Sequence, residues 1–179
     1  VNTITMAISL SDGIKGLDIG SGISNVSTTA IMVIPVGNFN VNSITDNIPD
    51  ILISQVGQAS TVDKLAFLNA AGAVVGTEFS LNFSSTTYPQ LGNPVLDLFN
   101  MKNEAIATSV PISAFETAQN GRPLKLAAFK LSEFGITAAN VGNIKFFRIT
   151  PGGGNDPAFY AYNGDSLSPR AVWTGAVSS

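Results

Sequence analysis

Residues 46–55 read Asp-Asn-Ile-Pro-Asp-Ile-Leu-Ile-Ser-Gln, an acidic turn that runs straight into an apolar stretch. Asp46, Asn47 and Asp50 offer hard oxygen ligands of the kind that calcium takes. Pro49 fixes its own φ and pushes Ile48 toward extended geometry, so the turn presenting those oxygens should be stiff. Asp12, Asp18, Asp63, Asn155 and Asp156 are further donors that such a site can recruit. The competing reading is that Asp, Asn and Pro simply make turns, because the Asp and Asn side chains bond their own backbone. There is no EF-hand spacing and no Asp-rich nonapeptide repeat to decide for the metal. Calcium is thus a candidate cofactor at Asp46, Asn47 and Asp50, with the purely turn-forming role beside it.

A second constellation lies near the end of the chain. Tyr160, Tyr162 and Trp173 can form an aromatic platform for sugar rings, with Asn155, Asp156 and Asn163 at hand to bond hydroxyls. Flat apolar faces next to planar polar groups suit a glycan. The alternative is that aromatics on strand faces are packing groups. Glycan binding is therefore a runner-up function of a different class.

Catalysis finds less support. Histidine and cysteine are both absent, which removes the usual general base, the thiolate nucleophile and the common transition-metal ligands. A Ser-Lys pair remains conceivable for acyl transfer. A glycosidase needs two carboxyl groups at a set separation, yet Glu78, Glu104, Glu116 and Glu133 stand in ordinary strand or turn contexts. The residues favour a non-enzyme.

The chain that must position these groups has 179 residues, 45% of them hydrophobic and only 12% charged. The charged share is about half the usual ~25%, and apolar content this high argues against disorder. Ser, Thr, Asn and Gly carry the polarity. Either part of the apolar surface is covered by copies of the chain or by neighbouring domains, or a large β core carries Ser and Thr outside. Nine basic residues against twelve acidic ones, with no basic run, argue against nucleic-acid binding. No apolar run is long enough to suggest a membrane span. An opening on Val1 rather than Met reads as a processed mature chain or an excised domain, and the Asn, Thr and Ser content with few lysines suits a secreted bacterial surface protein.

Hydrophobic alternation organises most of the chain. Residues 1–10 place Ile4, Met6, Ile8 and Leu10 on one face and Thr3, Thr5, Ala7 and Ser9 on the other. That strand can close its own sheet or pair with another subunit as an exchanged assembly strand. Residues 11–25, rich in glycine, read as a structured loop. Strands are predicted over 30–36, 50–56, 64–69, 95–101, 106–112, 124–131, 144–150 and 158–163, with Phe39 and Val41 continuing the first of these or opening another. The clearest hairpin turns at 69–73, and Phe79, Leu81 and Phe83 then alternate with polar residues. Loops are expected over 57–61, 84–94 and 151–157, a helical turn over 114–119, and a short turn capped by Ser132 and ended by Gly135. Ten to twelve short strands and no long helical period predict an all-β, antiparallel two-sheet sandwich of jelly-roll type, in one domain spanning 1–179.

Four stretches taken in order add a resemblance: residues 12–23 (Asp-Gly-Ile-Lys-Gly-Leu-Asp-Ile-Gly-Ser-Gly-Ile), residues 46–55, residues 131–137 (Leu-Ser-Glu-Phe-Gly-Ile-Thr) and residues 158–163 (Ala-Phe-Tyr-Ala-Tyr-Asn). Together they resemble a module of large secreted cell-surface proteins of Bacteroidota. The resemblance implies an extracellular location and a β-rich fold, and brings no catalytic residues with it. The function expected from all this is a non-enzymatic extracellular structural or adhesive module. Such a module can self-assemble into a surface filament or layer by strand pairing, its partners being copies of itself or neighbouring surface domains. The alternative is a carbohydrate-binding module.

Overall fold

The structure, a computed structural model, describes residues 21–24, 26–56, 61–92, 97–100, 115–116, 123–157 and 160–169. Its strands in chain order are β1 (Ser21–Ser24), β2 (Met32–Gly37), β3 (Ile51–Val56), β4 (Asp63–Leu68), β5 (Val74–Leu81), β6 (Gln90–Gly92), β7 (Asp97–Asn100), β8 (Phe115–Glu116), β9 (Leu124–Phe129), β10 (Phe146–Thr150), β11 (Tyr160–Tyr162) and β12 (Ser168–Pro169). A five-stranded sheet has the order β12-β2-β10-β4-β5 and a four-stranded sheet the order β11-β3-β9-β6. Every pairing within these two sheets is antiparallel. The three remaining strands form a small sheet in which β1 runs parallel to β7 and β8 antiparallel to it.

Period-two alternation builds the space between the two larger sheets. Leu65 and Phe67 of β4, Phe147 and Ile149 of β10, Ile51 and Ile53 of β3, and Ala127 and Phe129 of β9 are all buried in one core. The sheets meet directly where Phe79 of β5 lies 4.8 Å, centroid to centroid, from Phe129 of β9. The fold is therefore the all-β two-sheet sandwich that the strand pattern predicts. On the outer face, Arg148 bonds Glu78 at 2.6 Å and crosses β4 above Ala66, whose small side chain is fully covered. Among the described residues no helix is long and apolar enough to cross a membrane.

A 3₁₀ turn, Leu131–Phe134, plugs one end of the core. Its Phe134 packs against Phe67, Phe79, Phe129 and Phe147 at centroid distances of 5.2 to 6.1 Å. The head of this turn is Lys130 rather than Ser132, because the Glu133 carboxylate reaches back to accept the Lys130 N–H at 2.6 Å. Gly135 closes it in the left-handed conformation as predicted, at φ 65°. The hairpin at 69–73 also forms as predicted. Asn69 Oδ1 accepts the N–H groups of Ala71 and Ala73, and Gly72 takes φ +80°.

Four local expectations are corrected. Residues 41–45 form a 3₁₀ turn, not a strand: Asn40 accepts the Asn42 N–H as a cap, and Ile44 is buried while Val41 is exposed. Ser21–Ser24, Gln90–Gly92 and Phe115–Glu116 are strands where loop or helical turn was expected. Each is held by a backbone ladder to a partner elsewhere in the chain, which so short a stretch does not reveal by itself. Residues 1–10, with Ile4, Met6, Ile8 and Leu10, and residues 106–112 lie outside the described residues.

Candidate functional site

One side of the sandwich is built differently from the other. There β2 of one sheet faces β11 of the other, and a cavity of about 170 Å³ lies between them. Ile34 and Val36 of β2, Phe147 of β10, Ile51 of β3 and Leu167 give it an apolar lining, and Tyr160, Ala161 and Tyr162 of β11 complete the wall. Tyr162 is 49% exposed, so the cavity reaches the rim.

Both strands that flank this cavity have open edges among the described residues. β11 is bonded to β3 alone. β2 pairs with β10 from Met32 to Pro35 on one side, but with β12 only at Val36 and Gly37 on the other. The Val36 N–H donates to Lys145 O at 3.0 Å. Because peptide groups alternate sides along a strand, the backbone groups of Val33 and Pro35 face away from β10. Pro35 lacks an N–H on that side, a proline placement that only an edge tolerates. Val33 is 45% exposed on the outer face.

A buried polar cluster adjoins the cavity wall. Asp63, at the start of β4 and 2% exposed, accepts the Gly152 N–H and the Asn155 amide, each at 2.6 Å. Burial raises its pKa above the ordinary aspartate value, and the two donors pull the other way without cancelling it. Gln55, fully buried at the end of β3, donates to Gly154 O at 2.9 Å and accepts the Asp156 N–H at 3.0 Å. Thr61 Oγ1 accepts the Gly153 N–H. The glycine-rich loop 151–157 is thereby folded down between the sheets. Gly152 is required there, since a Cβ on it would lie 2.6 Å from Val62 O. The Tyr160 hydroxyl is buried without a hydrogen-bond partner among the described residues, and its pKa is pushed far above the tyrosine range by burial first and by the Asp63 charge second.

The structure separates the predicted oxygen ligands by role. Asp46 Oδ1 accepts the Ile48 N–H at 2.8 Å, which is the Asx turn of the turn-forming reading. Asn47 is exposed. Asp50 is fully buried and points inward, its Oδ2 accepting the Leu131 N–H at 2.6 Å, while its backbone accepts from Asn163 and donates to Phe129. Among the described residues no three acidic side chains converge. The predicted aromatic platform is divided too. Tyr160 packs against the core, Asn155 and Asp156 are buried, Tyr162 stands at the rim, and Trp173 lies outside the described residues.

Asp63 was visible in the sequence as an oxygen donor, but nothing local distinguishes it from the other acids. Gln55 carried no signal beyond being a polar residue at the end of an apolar strand. Comparison of the chain with protein-family models, with curated proteins and with solved structures finds no match.

Proposed function

We propose that this chain is a non-enzymatic extracellular building block, structural or adhesive, that associates with copies of itself or with neighbouring surface domains by strand pairing. The observation that carries the reading is the open edge of β11, bonded to β3 alone among the described strands, with Tyr162 exposed beside it. An unpaired edge offers a row of backbone donors and acceptors to an incoming strand. Residues 1–10 supply a suitable one: Ile4, Met6, Ile8 and Leu10 alternate with small polar residues, and no charge interrupts them. The low charge of the whole chain weakens the repulsion that would keep copies apart. The resemblance to secreted Bacteroidota modules supports the extracellular setting. Calcium, if bound at the Asp46 turn, would act on the segment that leads into β3, the neighbour of β11.

Light scattering and negative-stain microscopy of the purified chain, with calcium and with chelator, test the reading. Oligomers or filaments are expected, and deletion of residues 1–10 should abolish them while the fold survives. A strictly monomeric chain under both conditions would overturn it.

A further inference from the structure

We propose that the cavity between β2 and β11 is a binding site for a small uncharged aromatic molecule that carries one hydroxyl, a phenol in chemical class. This role goes beyond assembly and rests on the cavity alone.

The packing of the sandwich explains why a space of this size lies here. Facing sheets stand about 10 Å apart. At the centre Phe67, Phe129, Phe134 and Phe147 fill that gap with rings. Toward β2 and β11 the inner residues are Ile34, Val36, Ile51 and Leu167, whose shorter side chains leave about 170 Å³ among them. A dry cavity of about 150 Å³ holds benzene, so one six-membered ring with a substituent fits.

The strand register supplies the way in. Tyr160 lies opposite Ile53 and Tyr162 opposite Ile51, and directly opposed residues share a face of the sheet. Both tyrosines are therefore on the inner face with those two core residues, yet Tyr162 is 49% exposed. Solvent reaches the inner face at Tyr162, and a ligand enters there.

The lining sets the chemistry of that ligand. Its side chains are aliphatic or aromatic, and the two tyrosine hydroxyls are their only polar groups. An ionic ligand finds no counter-charge on this wall, and a sugar would surrender the hydration of several hydroxyls without replacement. Asn155 and Asp156, the amide and carboxylate expected to hold a sugar, are not part of the wall. Of the two tyrosines, Tyr160 keeps its hydroxyl buried with no partner among the described residues. Such a group is costly until it is met, and a single hydroxyl on the bound ring is the partner it takes.

Fluorine NMR of 4-fluorophenol and fluorobenzene tests this in monomers and assemblies alike. Saturable binding of both is expected, with 4-fluorophenol the tighter. Tyr160→Phe should remove that preference by weakening 4-fluorophenol about fivefold, the worth of one hydrogen bond. Ile34→Phe puts a ring into the cavity from a half-buried position and should abolish binding of both probes. Val36→Ile fills less of the space and should weaken both, which keeps the test open if Ile34→Phe does not fold. No saturable binding of either probe would overturn the site, as would binding that both filling variants leave intact. A preference for 4-fluorophenol that survives Tyr160→Phe would overturn the role of its hydroxyl. Glucose binding in place of the two aromatic probes would return the cavity to the glycan reading. Light scattering on the same samples reports oligomeric state, so the assembly reading can fail without this one.

Discussion

Asp63 and Asn155 stand 92 residues apart and are joined by a 2.6 Å hydrogen bond inside the sandwich. With the Gly152 N–H on the other Asp63 oxygen, this bond pins a glycine-rich loop to the first residue of β4. A carboxylate does this well because it accepts at both oxygens, and badly because it must leave water to do so. The raised pKa of Asp63 is the measure of that conflict.

The conflict gives stability a pH dependence of known sign. A carboxyl group whose pKa is raised by folding contributes fully below its unfolded pKa, and that contribution is lost as the pH climbs through the folded value. Wild type should therefore lose stability relative to Asp63→Asn as the pH rises from the ordinary aspartate range through the raised value of Asp63. Urea midpoints of both proteins, followed from acid to neutral pH, read this directly. Parallel profiles would show that Asp63 is not the source.

Two glycines with positive φ should respond very differently to alanine. Gly72 sits in the open hairpin, where an added Cβ would meet nothing within 4 Å, so Gly72→Ala should cost only the left-handed penalty, about 1 kcal/mol. Gly76, at φ +78°, packs its backbone against Phe134 O where a Cβ has no room. Gly76→Ala should cost about 3 kcal/mol or more, combining strain with overpacking. Denaturant titration separates the two, and equal costs would contradict the close approach.

Phe134 is the centre of the aromatic core, whereas Tyr162 stands at the rim of the cavity. Phe134→Ala should destabilise by about 3–5 kcal/mol through lost burial and the void left among four rings. Tyr162→Ala should stay within about 0.5 kcal/mol. A mild Phe134→Ala phenotype would mean that the 3₁₀ turn does not plug the core.

Two buried oxygens should behave in opposite ways. Asp50→Ala leaves the Leu131 N–H without its acceptor and should cost about 1–3 kcal/mol in thermal or chemical unfolding. Tyr160→Phe removes a buried hydroxyl that has no partner among the described residues, and should be neutral or stabilising by up to about 1 kcal/mol. A clear loss on Tyr160→Phe would reveal that the hydroxyl is satisfied after all.

Alternation and turn chemistry are local properties, and they carried most of the architecture. Phe79, Leu81 and Phe83 turn to the core as their alternation predicts, and Asn69 with Gly72 turns the hairpin where expected. Strands β1, β6 and β8 escaped because each is defined by a distant partner rather than by its own residues. The acids show the same division more sharply. Asp46, Asp50 and Asp63 each precede or open a strand-like run, and by sequence they are equivalent oxygen donors. Asp46 bonds its own turn, and that much was readable. Whether Asp50 and Asp63 met water, a cation or a backbone N–H depended on which segment arrived above them: the turn after β9 for one, the glycine loop after β10 for the other. Side-chain period determines which way a strand faces, but the partner of a buried carboxylate is delivered by chain from the far side of the fold. Only the tertiary structure could decide it.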